Sequence, residues 1–267
     1  MSQTALTATG HRPEEGDPSG HSSGGGSALI IGVDCATDPR KVGIAVARLC
    51  GDGLCLKSVT TGSGVGDQAG WIAEQIAESD RVLLALDAPL GWPKPLGQEL
   101  VDHRSGQPIS TPADQMFRRH TDIEIKRRVG KQPLDVGADR IARTAVAALS
   151  LLEKIRQATH EPIDLAWEPG FSGRIAAIEV YPAATLMMLG LRSTQYKKKD
   201  ERDARIEIAE GLSSHIEGLA EIKDVLDNAD LLDAVVCAIA GADFLKERAV
   251  APDSIRLARR EGWIWVR

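Results

Sequence analysis

The sequence predicts an α/β domain: a mixed five-stranded sheet with helices on both faces and a large helical insertion between strands four and five. Three observations point there. Apolar runs at 28–33, 42–48 and 54–60 follow one another across short turns, the pattern of an antiparallel meander. The run at 82–86 is apolar throughout, as expected of a central strand buried on both faces. Between and after the strands, apolar residues recur at helical spacing.

Residues 1–27 are rich in Gly, Ser, Pro, Thr and His and hold too little apolar surface to bury, so a disordered tail is expected there. The domain is expected over 28–267, with its insertion at about 88–173. Within it, residues 37–41 form a polar turn, and Gly51-Asp-Gly53 joins the second and third strands. A helix at 67–78 carries Trp71, Ile72, Gln75 and Ile76 at helical spacing. Prolines 89, 93, 95, 108 and 112 break up the start of the insertion into loop and short helices. Helices follow at 116–128 and 136–157, the second with Ile141, Ala145, Leu149, Leu152 and Ile155 on one face. Residues 162–173 read as loop, and 174–181 as the fifth strand, stopped by Pro182. Further helices are expected at 183–189, 201–218 and 228–247, with Asn228 as a cap for the last. Residues 263–266 read either as a final strand or as a packed tail.

Composition narrows the function classes. Of 267 residues, 43% are hydrophobic and 26% charged, a balance that can bury a sizeable core. The net charge of −6 gives no global basic field, which argues against a non-specific nucleic-acid coat but not against a local basic groove. No apolar run approaches the roughly 20 residues that span a bilayer, so no membrane partner is expected. Cys35, Cys50, Cys55 and Cys237 have neither CxxC spacing nor a matching His pattern, which argues against zinc. A reduced, cytoplasmic protein without a secretory signal is the simplest expectation. Cys50 and Cys55 flank the second turn and could face each other across it.

The chemistry is carried by acids. Asp34 ends the first apolar run and Asp87 ends the fourth, while Asp230 and Asp233 sit in the first turns of the last long helix. A lone ionised Asp at a core edge is costly unless it is paired or binds a metal. Asp230 and Asp233, at i and i+3, share a helix face. Each has a structural alternative. Asp34 could bond the turn at 36–38, Asp87 could cap the following turn, and Asp230 could be a helix-start carboxylate. Glu179 lies inside the fifth strand and reads either as a third acid of the site or as a buried partner of an arginine such as Arg140.

Gly32-Val-Asp-Cys, Leu86-Asp-Ala-Pro-Leu-Gly, Arg119-His-Thr-Asp, Glu179-Val-Tyr-Pro and Leu232-Asp-Ala-Val-Val-Cys-Ala, in this order, resemble the DUF429 family, predicted nucleases of the ribonuclease H-like superfamily. The resemblance spans roughly 28–267. The stretch from Ala229 to Ala238 also resembles the closing helix of RuvC-type Holliday junction resolvases, and Ile31-Gly-Val-Asp with the following strand resembles their opening hairpin. The resemblance implies a ribonuclease H-like sheet and divalent-metal-dependent hydrolysis of phosphodiester bonds in nucleic acid, DNA or RNA. Carboxylate oxygens suit Mg²⁺ or Mn²⁺, and two such ions about 4 Å apart can activate water and relieve charge on the leaving oxygen. Asp34, Asp87 and Asp233 are the expected metal ligands, and Asp230 and Glu179 the further acids of the catalytic set.

Arg118, Arg119, Lys126, Arg127 and Arg128, with Lys131, form a basic cluster that reads as a phosphate-gripping lip or as a solvated face with local ion pairs. Lys197-Lys-Lys199, followed by two acids, reads as a solvated loop. His120 is a weaker acid–base candidate, and Trp92 the one stacking candidate near Asp87. Gly62-Ser-Gly-Val-Gly66 lacks the Lys-Ser/Thr ending of a P-loop. Two other classes stay open: a non-catalytic binding protein on the same fold, and an ATP-binding phosphotransferase of the actin-like or sugar kinase type. The second phosphate loop and second core domain expected of the latter are not evident.

Overall fold

The computed structural model describes residues 27–267 except residue 138; the expected tail at 1–26 lies outside the described residues. The elements in chain order are β1 (Ala28–Asp34), β2 (Gly43–Cys50), β3 (Gly53–Thr61), α1 (Gly62–Val65), α2 (Gln68–Ala77) and β4 (Val82–Asp87). The insertion holds α3 (Lys94–Leu100), α4 (Ala113–Phe117), α5 (His120–Val129), α6 (Asp139–Thr159) and β5 (Asp164–Leu165). Then come β6 (Ile175–Glu179), α7 (Pro182–Met188), α8 (Arg202–Leu212), α9 (Asp224–Asp227), α10 (Ala229–Leu245) and α11 (Ile255–Glu261).

The sheet has six strands in the order β3-β2-β1-β4-β6-β5. The first three pair antiparallel, and β1, β4, β6 and β5 are parallel to one another. The expected count of five thus becomes six. The extra strand is the two-residue edge Asp164–Leu165, too short to carry a pattern and located in the stretch read as loop. Beyond it, Ile264 bridges Glu179 and the Trp265 amide donates to the Glu179 carbonyl at 2.9 Å. Residues 263–266 therefore extend the sheet edge.

Alternation along the strands divides the core into two layers. Ile30, Ala45 and Ala47 face α10, α8 and α7, whereas Leu29, Ile31, Val33, Leu84 and Leu86 face α2 and α6. The expected helix at 116–128 is interrupted at Arg118–Arg119, because Asp122 accepts from the Arg119 amide at 2.8 Å and starts a new helix there. The expected 201–218 helix ends at Leu212. Asn228 caps α10 as expected, accepting from the Asp230 amide at 2.9 Å.

The seam between α10 and the sheet is a backbone contact. A Cβ on Gly32 would lie 2.1 Å from the Ala234 carbonyl oxygen and 2.6 Å from the Ala238 nitrogen. One on Gly43 would lie 2.1 Å from the Asp230 carbonyl oxygen. No rotamer change relieves a clash with main chain, so the helix must lift. Gly32→Ala is expected to destabilise the fold by about 1–3 kcal/mol, read as a lower urea midpoint; an unchanged midpoint would refute the tight seam.

Candidate functional site

Strands β1 and β4 run parallel and finish in register, Asp34 beside Asp87. Every residue before them on both strands is buried, so the two carboxyls emerge together at the sheet's carboxyl edge. Asp233 arrives from α10, one turn inside the helix, with its side chain 1% exposed. The Tyr196 hydroxyl donates to its Oδ1 at 2.8 Å. The Lys197 ammonium lies 2.6 Å from Oδ2, yet that buried oxygen accepts no hydrogen bond of good geometry. An all-carboxylate donor set suits a hard divalent cation such as Mg²⁺ or Mn²⁺. The donor chemistry therefore fits such an ion, with Lys197 in place beside the acids.

The charges shape one another. Burial, then the neighbouring Asp233 and Asp87, raise the Asp34 carboxyl well above the ordinary range. Burial pushes Asp87 up to about 7; Lys197 opposes this, while Asp233 and Glu179 add to it. Asp34 and Asp87 end neighbouring strands in register, so each is a close negative neighbour of the other and shares its preference for the protonated form. Burial alone would lower the Lys197 ammonium, but Asp233, Asp34 and Asp87 hold it above the usual lysine value. Burial and Asp233 raise the Tyr196 phenol, which keeps it a donor. Asp230 is half-buried and is raised by burial and by Asp233.

A pH dependence follows. Asp87 has a folded pKa above its ordinary 3.8, so between 3.8 and about 7 the folded state binds more protons than the unfolded one. This contribution is complete below pH 4 and is lost as pH rises through 7. In EDTA, the melting temperature of wild type is expected to fall between pH 5 and pH 8 more steeply than that of Asp87→Asn. Parallel curves would contradict the assignment.

Above the acids opens a cleft of about 520 Å³. It is lined by Asp34, Asp87, Tyr196 and Lys197 together with Lys131, Pro133, Leu134, Ile141 and Thr144 of the insertion. Asp233 lies beneath, behind Tyr196 and Lys197.

Glu179 takes the second of its two expected roles, with a different partner. Arg119, rather than Arg140, holds it: the Arg119 side chain donates to both Glu179 oxygens at 2.7 and 2.8 Å and to both Asp122 oxygens at 2.9 and 3.2 Å. A further bond reaches the Glu261 carbonyl at 3.4 Å. Glu179 Oε2 also accepts from the Leu90 amide at 3.0 Å. Burial raises the Glu179 carboxyl, and Arg119 opposes that rise. Arg119, 1% exposed and fully engaged, is a structural arginine and leaves no donor for a substrate phosphate.

The rest of the expected basic lip is a surface face paired with its own neighbours, the second of its two expected roles. Arg118 pairs with Asp114 and Asp135, and Arg127 and Arg128 share Glu124. Lys126 donates to the Gly130 carbonyl at 3.0 Å. None of these four lines the cleft, whereas Lys131 does. The reading of Lys197 as part of a solvated loop is corrected too, since its ammonium sits in the acid cluster. Trp92 and His120 do not line the cleft. Cys50 and Cys55 are not cross-strand partners, Arg48 being opposite Cys55, and all four cysteines are free thiols. The turn alternative for Asp34 finds no support, because Asp38 itself caps that turn through the Arg40 amide at 3.1 Å. Among the described residues, one trio of ligand-type side chains converges within 4.8 Å: His120, Glu124 and Asp253. Its Glu124 is already taken by two arginines, and Asp34, Asp87 and Asp233 do not reach that mutual distance with the lysine beside them.

Fold and site together define an α/β protein with a mixed six-stranded sheet, whose carboxyl edge bears a buried acid cluster under an open cleft. The chain belongs to the DUF429 family: the family model, described as a protein of unknown function, matches residues 32–256 and so takes in Asp34, Asp87, Glu179 and Asp233. Comparison with curated proteins and with solved structures finds no match. Among the described residues no helix is long and apolar enough to cross a membrane.

Proposed function

We propose that this chain is a divalent-metal-dependent nuclease on a ribonuclease H-like core, hydrolysing phosphodiester bonds in nucleic acid. The fold part of this reading is supported by the antiparallel meander β3-β2-β1 continuing into parallel β4 and β6. The observation that carries the functional part is the approach of Asp34, Asp87 and Asp233 from three separate elements to one lysine-compensated acid cluster at the sheet's carboxyl edge.

Asp34, Asp87 and Asp233 would hold Mg²⁺ or Mn²⁺, and Asp230, one helical turn from Asp233, supplies outer negative charge. When bound, such an ion supplies Lewis-acid polarisation of a phosphoryl oxygen and relief of charge on the leaving oxygen. The protein's own groups do the rest. Asp34 and Asp87, both held toward the protonated form by burial, would hold the ion as carboxylates. Tyr196 orients Asp233, and the Arg119–Glu179 pair fixes the end of β6 under the cleft. Lys131 and Lys197 are the cations at the cleft available to a phosphate, and Pro133, Leu134 and Ile141 form an apolar wall for a base.

The test is cleavage of labelled single strands, duplexes, RNA–DNA hybrids and four-way junctions with Mn²⁺, Mg²⁺ or EDTA. Metal-dependent cutting of any of them is the expected result, and its absence across the panel would overturn the reading. A second reading, a binding protein on the same fold, is favoured by the pairing of the basic cluster with its own neighbours; it predicts that chelators leave stability unchanged.

A further inference from the structure

Lys197 is held in place by more than its own ion pair. The buried Arg205 clamps the main chain on both sides of it, donating to the Tyr196 carbonyl at 2.6 Å and the Lys198 carbonyl at 2.7 Å. The same guanidinium bonds the Leu226 carbonyl at 2.7 Å, just before α10, tying this segment to the helix that carries Asp233. Gln195, two residues before Lys197, holds φ at 56°, a left-handed conformation uncommon for a non-glycine residue. Tyr196 is buried and anchored on Asp233. The backbone is thus fixed at the acid cluster, while the Lys197 side chain itself is 60% exposed and its ammonium meets an oxygen at 1% exposure. A four-carbon stem with a point charge can swing away without moving the segment that bears it.

We propose that Lys197 is a built-in counter-cation: its ammonium occupies the charge position among Asp34, Asp87 and Asp233 until a divalent ion displaces it. This rests on the metal reading above and adds to it a competition between one side chain and the ion. Without the ammonium, three clustered acids would face one another uncompensated; with it, a metal must first break the 2.6 Å pair to Asp233. The device keeps the metal-free protein folded and sets a threshold for metal entry.

Calorimetric titration of the EDTA-stripped full chain with Mn²⁺ alone distinguishes the cases. Lys197→Met is expected to bind Mn²⁺ at least about tenfold more tightly than wild type, because the competing charge is gone. Its metal-free form is expected to melt at a lower temperature, and Mn²⁺ to restore it by more degrees than wild type gains. Lys197→Arg retains the charge and is expected to stay close to wild type. Lys198→Met, the same charge change on a neighbouring exposed side chain, controls for net charge and is expected to leave Mn²⁺ affinity unchanged. Equal or weaker Mn²⁺ binding by Lys197→Met, with wild type binding normally, overturns the counter-cation role alone. Binding by Lys197→Met where wild type shows none supports it in its strongest form. Absence of Mn²⁺ binding in all variants overturns the metal reading and the proposal together.

Discussion

Asp34→Asn is expected to lower metal-dependent phosphodiester cleavage by on the order of 10³-fold, and Asp233→Asn by a similar factor, with folding retained. The substitution keeps the shape of the side chain and removes only its charge. At position 34 burial and the neighbouring Asp233 and Asp87 already favour the neutral acid, so what the substitution removes is the capacity to ionise against a metal. At position 233 the amide oxygen can still accept the Tyr196 hydroxyl, so the local packing survives while the ion pair to Lys197 does not. Parallel assays on the substrate panel, with Mn²⁺ titration and melting curves for each variant, separate lost chemistry from lost fold. Wild-type rates in both variants would remove the acid cluster from the mechanism.

Arg119→Met is expected to cost about 3–5 kcal/mol of folding stability, the range for removing one partner of a buried ion pair. Its guanidinium donates to two carboxylates, Asp122 and Glu179, that are themselves nearly inaccessible. Methionine fills much of the same volume but leaves two acids without a counter-charge, which must then take up protons or drag in water. Arg119→Lys is expected to recover only part of the loss, because an ammonium cannot fork onto two carboxylates in the plane that the guanidinium spans. Urea unfolding of the three proteins measures both effects. A loss under about 1 kcal/mol for the methionine variant would show that the network is solvated after all.

The parts of this molecule that were legible in sequence are those with a local pattern. Apolar runs ending in Asp34 and Asp87 announce two buried strands, and thirteen buried apolar or small residues make α10 apolar nearly all round, with Asp233 conspicuous in its first turns. What stayed hidden depends on partners far away in the chain. Arg119 and Glu179 are separated by 60 positions, and nothing near either residue tells which arginine the buried acid will meet. Lys197 begins a run of three lysines followed by two acids, locally the signature of a solvated loop. Only Tyr196 and Arg205, held by α10 and the chain before it, bring its ammonium to the site. A clue was available in Tyr196 itself, an aromatic with a polar tip next to the charge run, because such residues seek a buried partner for the hydroxyl. The basic cluster misled for the converse reason. Its arginines are close in sequence, but Asp114, Asp135 and Glu124 are equally close and claim them.

The glycine seam under α10 has a bearing on how this protein tolerates change. Where helix and sheet touch through main chain, there are no side-chain torsions to take up slack, so the spacing of Asp233 from Asp34 is set by the peptide units themselves. Repacking on the far side of the helix, at positions such as Val235 or Ile239, can loosen the protein without moving its acids. Stability and site geometry are then inherited separately: sequence drift in the oily layer lowers thermal margin, while the acids keep their spacing as long as positions 32 and 43 stay bare.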